Sequence, residues 1–167
     1  WVAVWNGSAV EVWNLETGRK EATESIRAVH KVAWRLDGEA LAFGCADHVI
    51  RVWSWRDGQV QELRGHARAG LVLCFHPRGD LVASYSWDHT LRLWDPVVGE
   101  QLLRADGLCP LAFSPDGQWL IVLSAQGIGK LRLHRSAVCR VMHTHNSHHH
   151  FSNCIQFSPD SRWVLSS

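Results

Sequence analysis

An all-β architecture of repeated four-stranded antiparallel sheets follows from three features of this 167-residue chain. Trp13, Trp53, Trp94 and His134 recur at intervals of 40, 41 and 40 residues. Trp34, Phe75, Phe113 and Phe157 mark a second recurring position, each followed by a turn: RLDG, HPRG, SPDG and SPDS. Between these landmarks lie short apolar stretches, LAFGCA, LVASYS and WLIVLS, then VIRVW, TLRLW and KLRLH. Alternation with period two turns one side of each strand toward a neighbouring layer. A period of about 40–45 residues with four short strands is the signature of a β-propeller blade. A blade cannot bury both its faces alone, so successive blades must stack.

In chain order, the first unit is a partial blade over residues 1–24. Counting back from Trp13 sets Trp1 level with Leu41 and Val82, early in a second strand, so this unit is expected to lack its first strand. Asn6-Gly7 reads as a hairpin turn in preference to a glycosylation sequon with Ser8. Full blades follow at residues 25–63, 64–103 and 104–143, and a partial blade at 144–167 stops inside a second strand. With no initiator methionine, the expectation is an open arc, a fragment of a larger propeller. The alternative is a small closed ring, in which the last first strand completes the first blade; closure protects sheet edges.

Composition narrows the function. Of the ten tryptophans, three hold the repeated position, and Trp119 and Trp163 share another just before the second strand. Each can bury roughly 150–250 Å² in blade packing. A formal net charge of +1 gives no reason to expect nucleic acid or an anionic membrane as partner. Neither a membrane-length apolar run nor a signal-peptide pattern occurs. Cys45, Cys74, Cys109, Cys139 and Cys154 form no CxxC pair and read as small buried thiols in a reducing, cytoplasmic setting. The parent protein could still be anchored elsewhere to a membrane.

The most specific strings are RGH at 64–66, FSPDG at 113–117 and WDHTLRLWD at 87–95. On these the chain resembles the WD-repeat propellers along essentially its whole length. The resemblance implies a seven-blade type of parent and a structural tetrad of His66, Ser84, Asp88 and Trp94 within one blade. A catalytic Ser-His-Asp triad is the competing reading, but no G-x-S-x-G elbow surrounds Ser84. Partial tetrads are expected at Asp47 and Trp53, with Ser25 in the histidine position and Phe43 in the serine position. Trp13 and His148 are matched in the two partial blades. The third full repeat offers Arg104, Gln126 or Ile128, and His134, with a hairpin about two residues longer. More narrowly, residues 75–103 resemble repeats C-terminal to bacterial serine/threonine kinases, although the kinase signatures themselves are absent.

Other motifs are weaker. His145, His148, His149 and His150, with His143, form a histidine-rich loop that could offer imidazoles to a metal, but no carboxylate or cysteine is placed to complete a tetrahedral set. The loop reads as solvated, with His148 structural and no metal. GIGK at 127–130 lacks the Walker spacing and is followed by Leu131. Asp47-His48 and Asp88-His89 stand where Asp-Gly is usual, so each histidine would cost about 1 kcal/mol if φ is positive. Trp87, Arg68, His48 and His89 gather at the loops of one rim and form the candidate partner-binding surface.

The function that follows is a non-catalytic protein–protein interaction platform, with no cofactor, no nucleic acid and no membrane contact from this segment. The kinase resemblance implies a docking or sensory tail of a signalling protein. Alternatives are a propeller with a ligand or metal in its channel, and a structural spacer. Channel chemistry needs convergent acids or histidines, whereas the innermost strands read GLVLCF, CPLAF and NCIQF.

Overall fold

The computed structural model describes residues 1–133, 140–145, 155–157 and 164–166. Every regular element among them is a strand. The first sheet holds β1 (Val2–Trp5), β2 (Val10–Trp13) and β3 (Lys20–Glu24) in that order. Next come two meanders: β4 (Val29–Trp34), β5 (Ala40–Cys45), β6 (Ile50–Ser54) and β7 (Gln59–Leu63), then β8 (Gly70–Phe75), β9 (Val82–Ser86), β10 (Thr90–Trp94) and β11 (Gln101–Asp106). A third contains β12 (Cys109–Phe113), β13 (Trp119–Ser124), β14 (Gly127–Arg132) and β15 (Arg140–His145), and β16 (Ile155–Phe157) pairs with β17 (Val164–Ser166). Each neighbouring pair is antiparallel, the order expected of propeller blades.

Strand alternation decides which residue faces which blade. Leu41, Phe43, Cys45 and Trp53 turn toward the first sheet and pack on Val10 and Val12. Ala40, Ala42, Ile50 and Val52 turn the other way, onto Leu73, Val82 and Trp94. Ala83, Leu91 and Leu93 face Phe113, Leu120 and Val122 of the next blade. Every residue of β5 is therefore buried, as befits a strand covered on both faces.

The inner hairpins end in tight turns that place glycine at positive φ, for instance Gly117 at 71°. That turn is also an inter-blade contact. His76 Nε2 donates to the Gly117 carbonyl at 2.9 Å, and its ring meets Phe113 edge-on at 5.3 Å. At the opposite rim the short turns carry His48 and His89 at φ of 68° and 61°, the strained conformation the Asp-His dipeptides raised.

Three register expectations change. Val2, not Trp1, pairs with Trp13, because the Asn6–Ala9 turn makes this hairpin one residue shorter. Trp1 instead lies against Trp55 in a tilted contact, ring centroids 5.1 Å apart, with Arg56 over both rings. Trp119 lies inside β13, not before it. In the third repeat Leu120 pairs with Leu131, where Leu41 and Val82 pair with Trp53 and Trp94, so this hairpin is one residue shorter instead of two longer, and its turn tightens to Ala125-Gln126.

Candidate functional site

The second full blade carries a buried hydrogen-bond chain on the face turned toward its predecessor. His66 sits in the loop before β8, Ser84 in β9, Asp88 in the β9–β10 turn and Trp94 at the end of β10. Trp94 Nε1 donates to Ser84 Oγ at 2.8 Å, and His66 Nε2 lies 2.8 Å from the same oxygen. His66 Nδ1 lies 2.9 Å from Asp88 Oδ2. An ionised carboxylate can only accept, so Nδ1 carries the proton and Nε2 accepts from the serine hydroxyl. The direction of donation then runs from Trp94 through Ser84 and His66 to Asp88.

Asp88 does more than orient the imidazole. Its oxygens also accept from the Ala67 amide at 2.9 Å, the Thr90 amide at 3.0 Å and the Thr90 hydroxyl at 2.7 Å. Burial by itself raises the carboxyl pKa, but the Ala67 amide, Thr90 hydroxyl and His66 outweigh it and hold it well below the usual range. His66 moves down from its ordinary value, chiefly through burial, with Asp88 opposing. A neutral imidazole matches the donation pattern. As a catalytic triad the arrangement fails on access: the Ser84 residue is fully buried and its oxygen is already engaged by Trp94.

The preceding blade has the same strand frame and no such network. Ser25 is exposed, while Ile26 dips into the core beside Phe43, whose ring lies 6.1 Å from that of Trp53. Trp53 Nε1 is left buried with no hydrogen-bond partner among the described residues. Asp47 turns to Arg51, 2.6 Å away, and to the Val49 amide. Asp47 and Trp53 are therefore present but not joined: Phe43 holds the register position of Ser84, and Ile26 packs in the same core cluster as Phe43 and Trp53. Trp13 is half-buried and donates to Glu11 within its own strand, so it has no tetrad partner either. Arg104 belongs to β11 and pairs with Asp106, leaving only Gly107-Leu108 to enter β12. His134, His148, His149 and His150 lie outside the described residues, and His145 ends β15. No group of three metal-binding side chains occurs among the described residues.

Two participants were missed in the sequence. Thr90 caps Asp88 and lies 3.2 Å from His66 Nδ1, and Ser86 donates to the Arg68 carbonyl while accepting from the Asp88 amide. The small hydroxyl residues flanking Trp87-Asp88-His89 were the available signal.

These bonds position the rim. The Trp87 amide donates to the Ala69 carbonyl at 3.2 Å, so the β9–β10 turn and the loop before β8 are tied together. Trp87 is 56% exposed, Arg68 is exposed, and no hydrogen bond, ion pair or ring contact with the described residues engages either side chain. His48 is exposed on the corresponding turn one blade earlier, and exposed His89 meets the Tyr85 hydroxyl at 3.2 Å.

Comparison with known proteins adds sequence relationships. The family described as WD domain, G-beta repeat, matches residues 58–95 and 126–167, and the anaphase-promoting complex subunit 4 WD40 domain matches residues 2–76. The chain is 37% identical to Coronin-7 of Bos taurus over 121 residues, 64% of this chain and 13% of that protein. It is 33% identical to THO complex subunit 3 of Arabidopsis thaliana over 105 residues, 58% of this chain and 33% of that protein. Periodic tryptophan protein 2 homolog of Schizosaccharomyces pombe is 38% identical over 96 residues, 54% of this chain and 11% of that protein. The chain thus spans a third or less of each of these relatives.

Proposed function

With a WD-repeat assignment supported by both family matches and by these relatives, we propose that the chain is a non-catalytic scaffold that recognises a protein or peptide partner through the rim of its second full blade. One observation carries this reading. An exposed tryptophan and an unengaged arginine stand together on turns whose backbone is fixed by the hydrogen-bond chain beneath them. Tryptophan and arginine dominate binding hot spots, and a rigid platform lowers the ordering cost of association. WD repeats are in general non-catalytic, and one of the relatives, THO complex subunit 3, is named as part of a complex.

The narrower reading, a docking tail behind a bacterial serine/threonine kinase, draws support only from the repeat style of residues 75–103. The relatives above are from cattle, a plant and a fission yeast. A kinase signature in the flanking coding sequence is what this narrower proposal requires, and continuous WD repeats there would remove it. We also propose a cytoplasmic location, which the free thiols of Cys45, Cys74 and Cys109 support.

The test of the scaffold is the double substitution Trp87→Ala with Arg68→Ala in the full-length protein. Partner capture should fall sharply while the far-ultraviolet spectrum and melting midpoint hold. Unchanged capture by a folded variant rules this rim out.

A further inference from the structure

The rim is more strongly biased in charge than the near-neutral chain suggests. Besides His89 and Arg104, which meet Tyr85 and Asp106, the exposed cationic or imidazole side chains Arg27, His30, Lys31, His48 and Arg68 stand on it. Among the described residues, none of these last five makes a side-chain hydrogen bond or ion pair. The acids of the same rim are already engaged. Asp47 is held by Arg51, Asp88 by His66 and two backbone amides, and Asp106 by Arg104. Glu24, half-buried at the outer end of β3, is the exception among the described residues.

Backbone geometry gathers these groups. The Ala46 amide donates to the Ala28 carbonyl at 3.0 Å, tying the Arg27 loop to the His48 turn as Trp87 is tied to Ala69. The two blades meet at this level, where a Cβ on Gly44 would lie 3.3 Å from the Gly70 carbonyl. The pairing of β4 with β5 slips between Val29 and Lys31, leaving His30 without a cross-strand partner. Such bulges re-aim side chains at sheet rims. Equivalent bulges in β8 and β12 fall at Leu71 and Leu111, so only the first full blade presents imidazole and ammonium groups there.

Resting on the scaffold reading, we propose that the rim shared by the two blades at residues 25–63 and 64–103 binds an acidic peptide segment, its carboxylates facing Arg27 and Arg68 and an apolar side chain on Trp87. A guanidinium free of internal partners can take a carboxylate bidentately, and the exposed indole supplies the desolvated anchor. Nucleic acid fits less well. The cations are few and sit on separate loop tips, without a continuous basic stripe or a series of exposed aromatics along it.

Fluorescence anisotropy of the 167-residue chain tests this with three labelled peptides of matched length, one glutamate-rich around a leucine, one with glutamines and one with lysines, and with a uridine-rich RNA oligomer. The glutamate peptide should bind at least about tenfold more tightly than the glutamine peptide, and more weakly as salt rises. Arg27→Glu with Arg68→Glu should remove that preference, whereas Arg78→Glu, an exposed cation on the opposite rim, should leave it. Equal binding of the glutamate and glutamine peptides, or an equal effect of Arg78→Glu, overturns the proposal. Tighter binding of the RNA at the same salt replaces the peptide by a nucleic acid. Failure with these probes while the Trp87/Arg68 variant still loses its partner separates a wrong partner chemistry from a wrong rim.

Discussion

Replacing Asp88 by alanine removes the acceptor at the end of the hydrogen-bond chain, and its cost follows from what is stranded. Four donors lose their partner: His66 Nδ1, the Ala67 amide, the Thr90 amide and the Thr90 hydroxyl. Water can reach the Ala67 amide, since Ala67 is exposed, and the hydroxyl can rotate. His66 Nδ1 retains a long contact with Thr90 Oγ1. The Thr90 amide and the imidazole remain, in residues 2% and 7% exposed. At about 1–3 kcal/mol for each buried unsatisfied donor, with that partial compensation, Asp88→Ala should destabilise by about 2–4 kcal/mol. Asp47→Ala removes an ion pair with Arg51 whose carboxylate side is 50% exposed, where such pairs contribute about 0–1 kcal/mol. Urea titration of both variants, read as midpoint shifts at constant slope, provides the comparison. Equal shifts would mean that the second blade's network has no special energetic place, and the reasoning would fall.

Three further outcomes follow from the same geometry. His66 and Asp88 both have lowered pKa values in the folded state, so the unfolded chain binds more protons and acid destabilises. The histidine contribution should begin to fade below about pH 6.5 and the aspartate contribution below about pH 4; a His66→Gln variant whose melting midpoint keeps the same slope near pH 6 would contradict this. Gly117→Ala would set a methyl 2.7 Å from His76 Cε1 at a φ of 71°, whereas Gly58→Ala, also at 71°, meets nothing within 4 Å. Thermal melts should show the first costing clearly more than the roughly 1 kcal/mol of backbone strain shared by both, and equal midpoints would refute the inter-blade contact. Burial pushes the Cys74 thiol up to about 12 and Cys109 up to about 11, so both should resist thiol reagents at pH 8 until urea unfolds the chain. Labelling at the rate of a free thiol peptide would count against their packing.

The sheets were legible because two aromatic landmarks and an apolar alternation recur in every repeat, and both properties are set by strand pleat. Turn length was not. The Asn6–Ala9 turn moved Val2 into the place assigned to Trp1, and the tight Ala125-Gln126 turn set Leu131, not His134, opposite Leu120. Spacing along the chain cannot tell whether an added residue lengthens a strand or a loop. The second blade's hydrogen-bond residues are brought together as a set, but the idle donor of Trp53 could be seen only once Phe43 and Ile26 were placed. Arg51 likewise takes up Asp47 at 2.6 Å, while the corresponding Arg92 stays 3.8 Å from Asp88 Oδ2, which His66 already engages, and reaches Gln101 and the Trp94 ring. The same residue type serves different ends because the histidine is present in one blade and missing from the other. The charged rim escaped composition altogether, since a net charge of +1 averages over groups that are engaged and groups that are not.

The claim that this chain works through the rim around Trp87 is tested most directly by site-specific photo-crosslinking in the full-length protein. A photoreactive phenylalanine would be placed in turn at Trp87 and at Leu36, an exposed residue on the opposite rim. Crosslinks to one and the same partner from position 87, with none from position 36, are the predicted result. Crosslinks from position 36 alone would put the partner on the other rim and contradict the account.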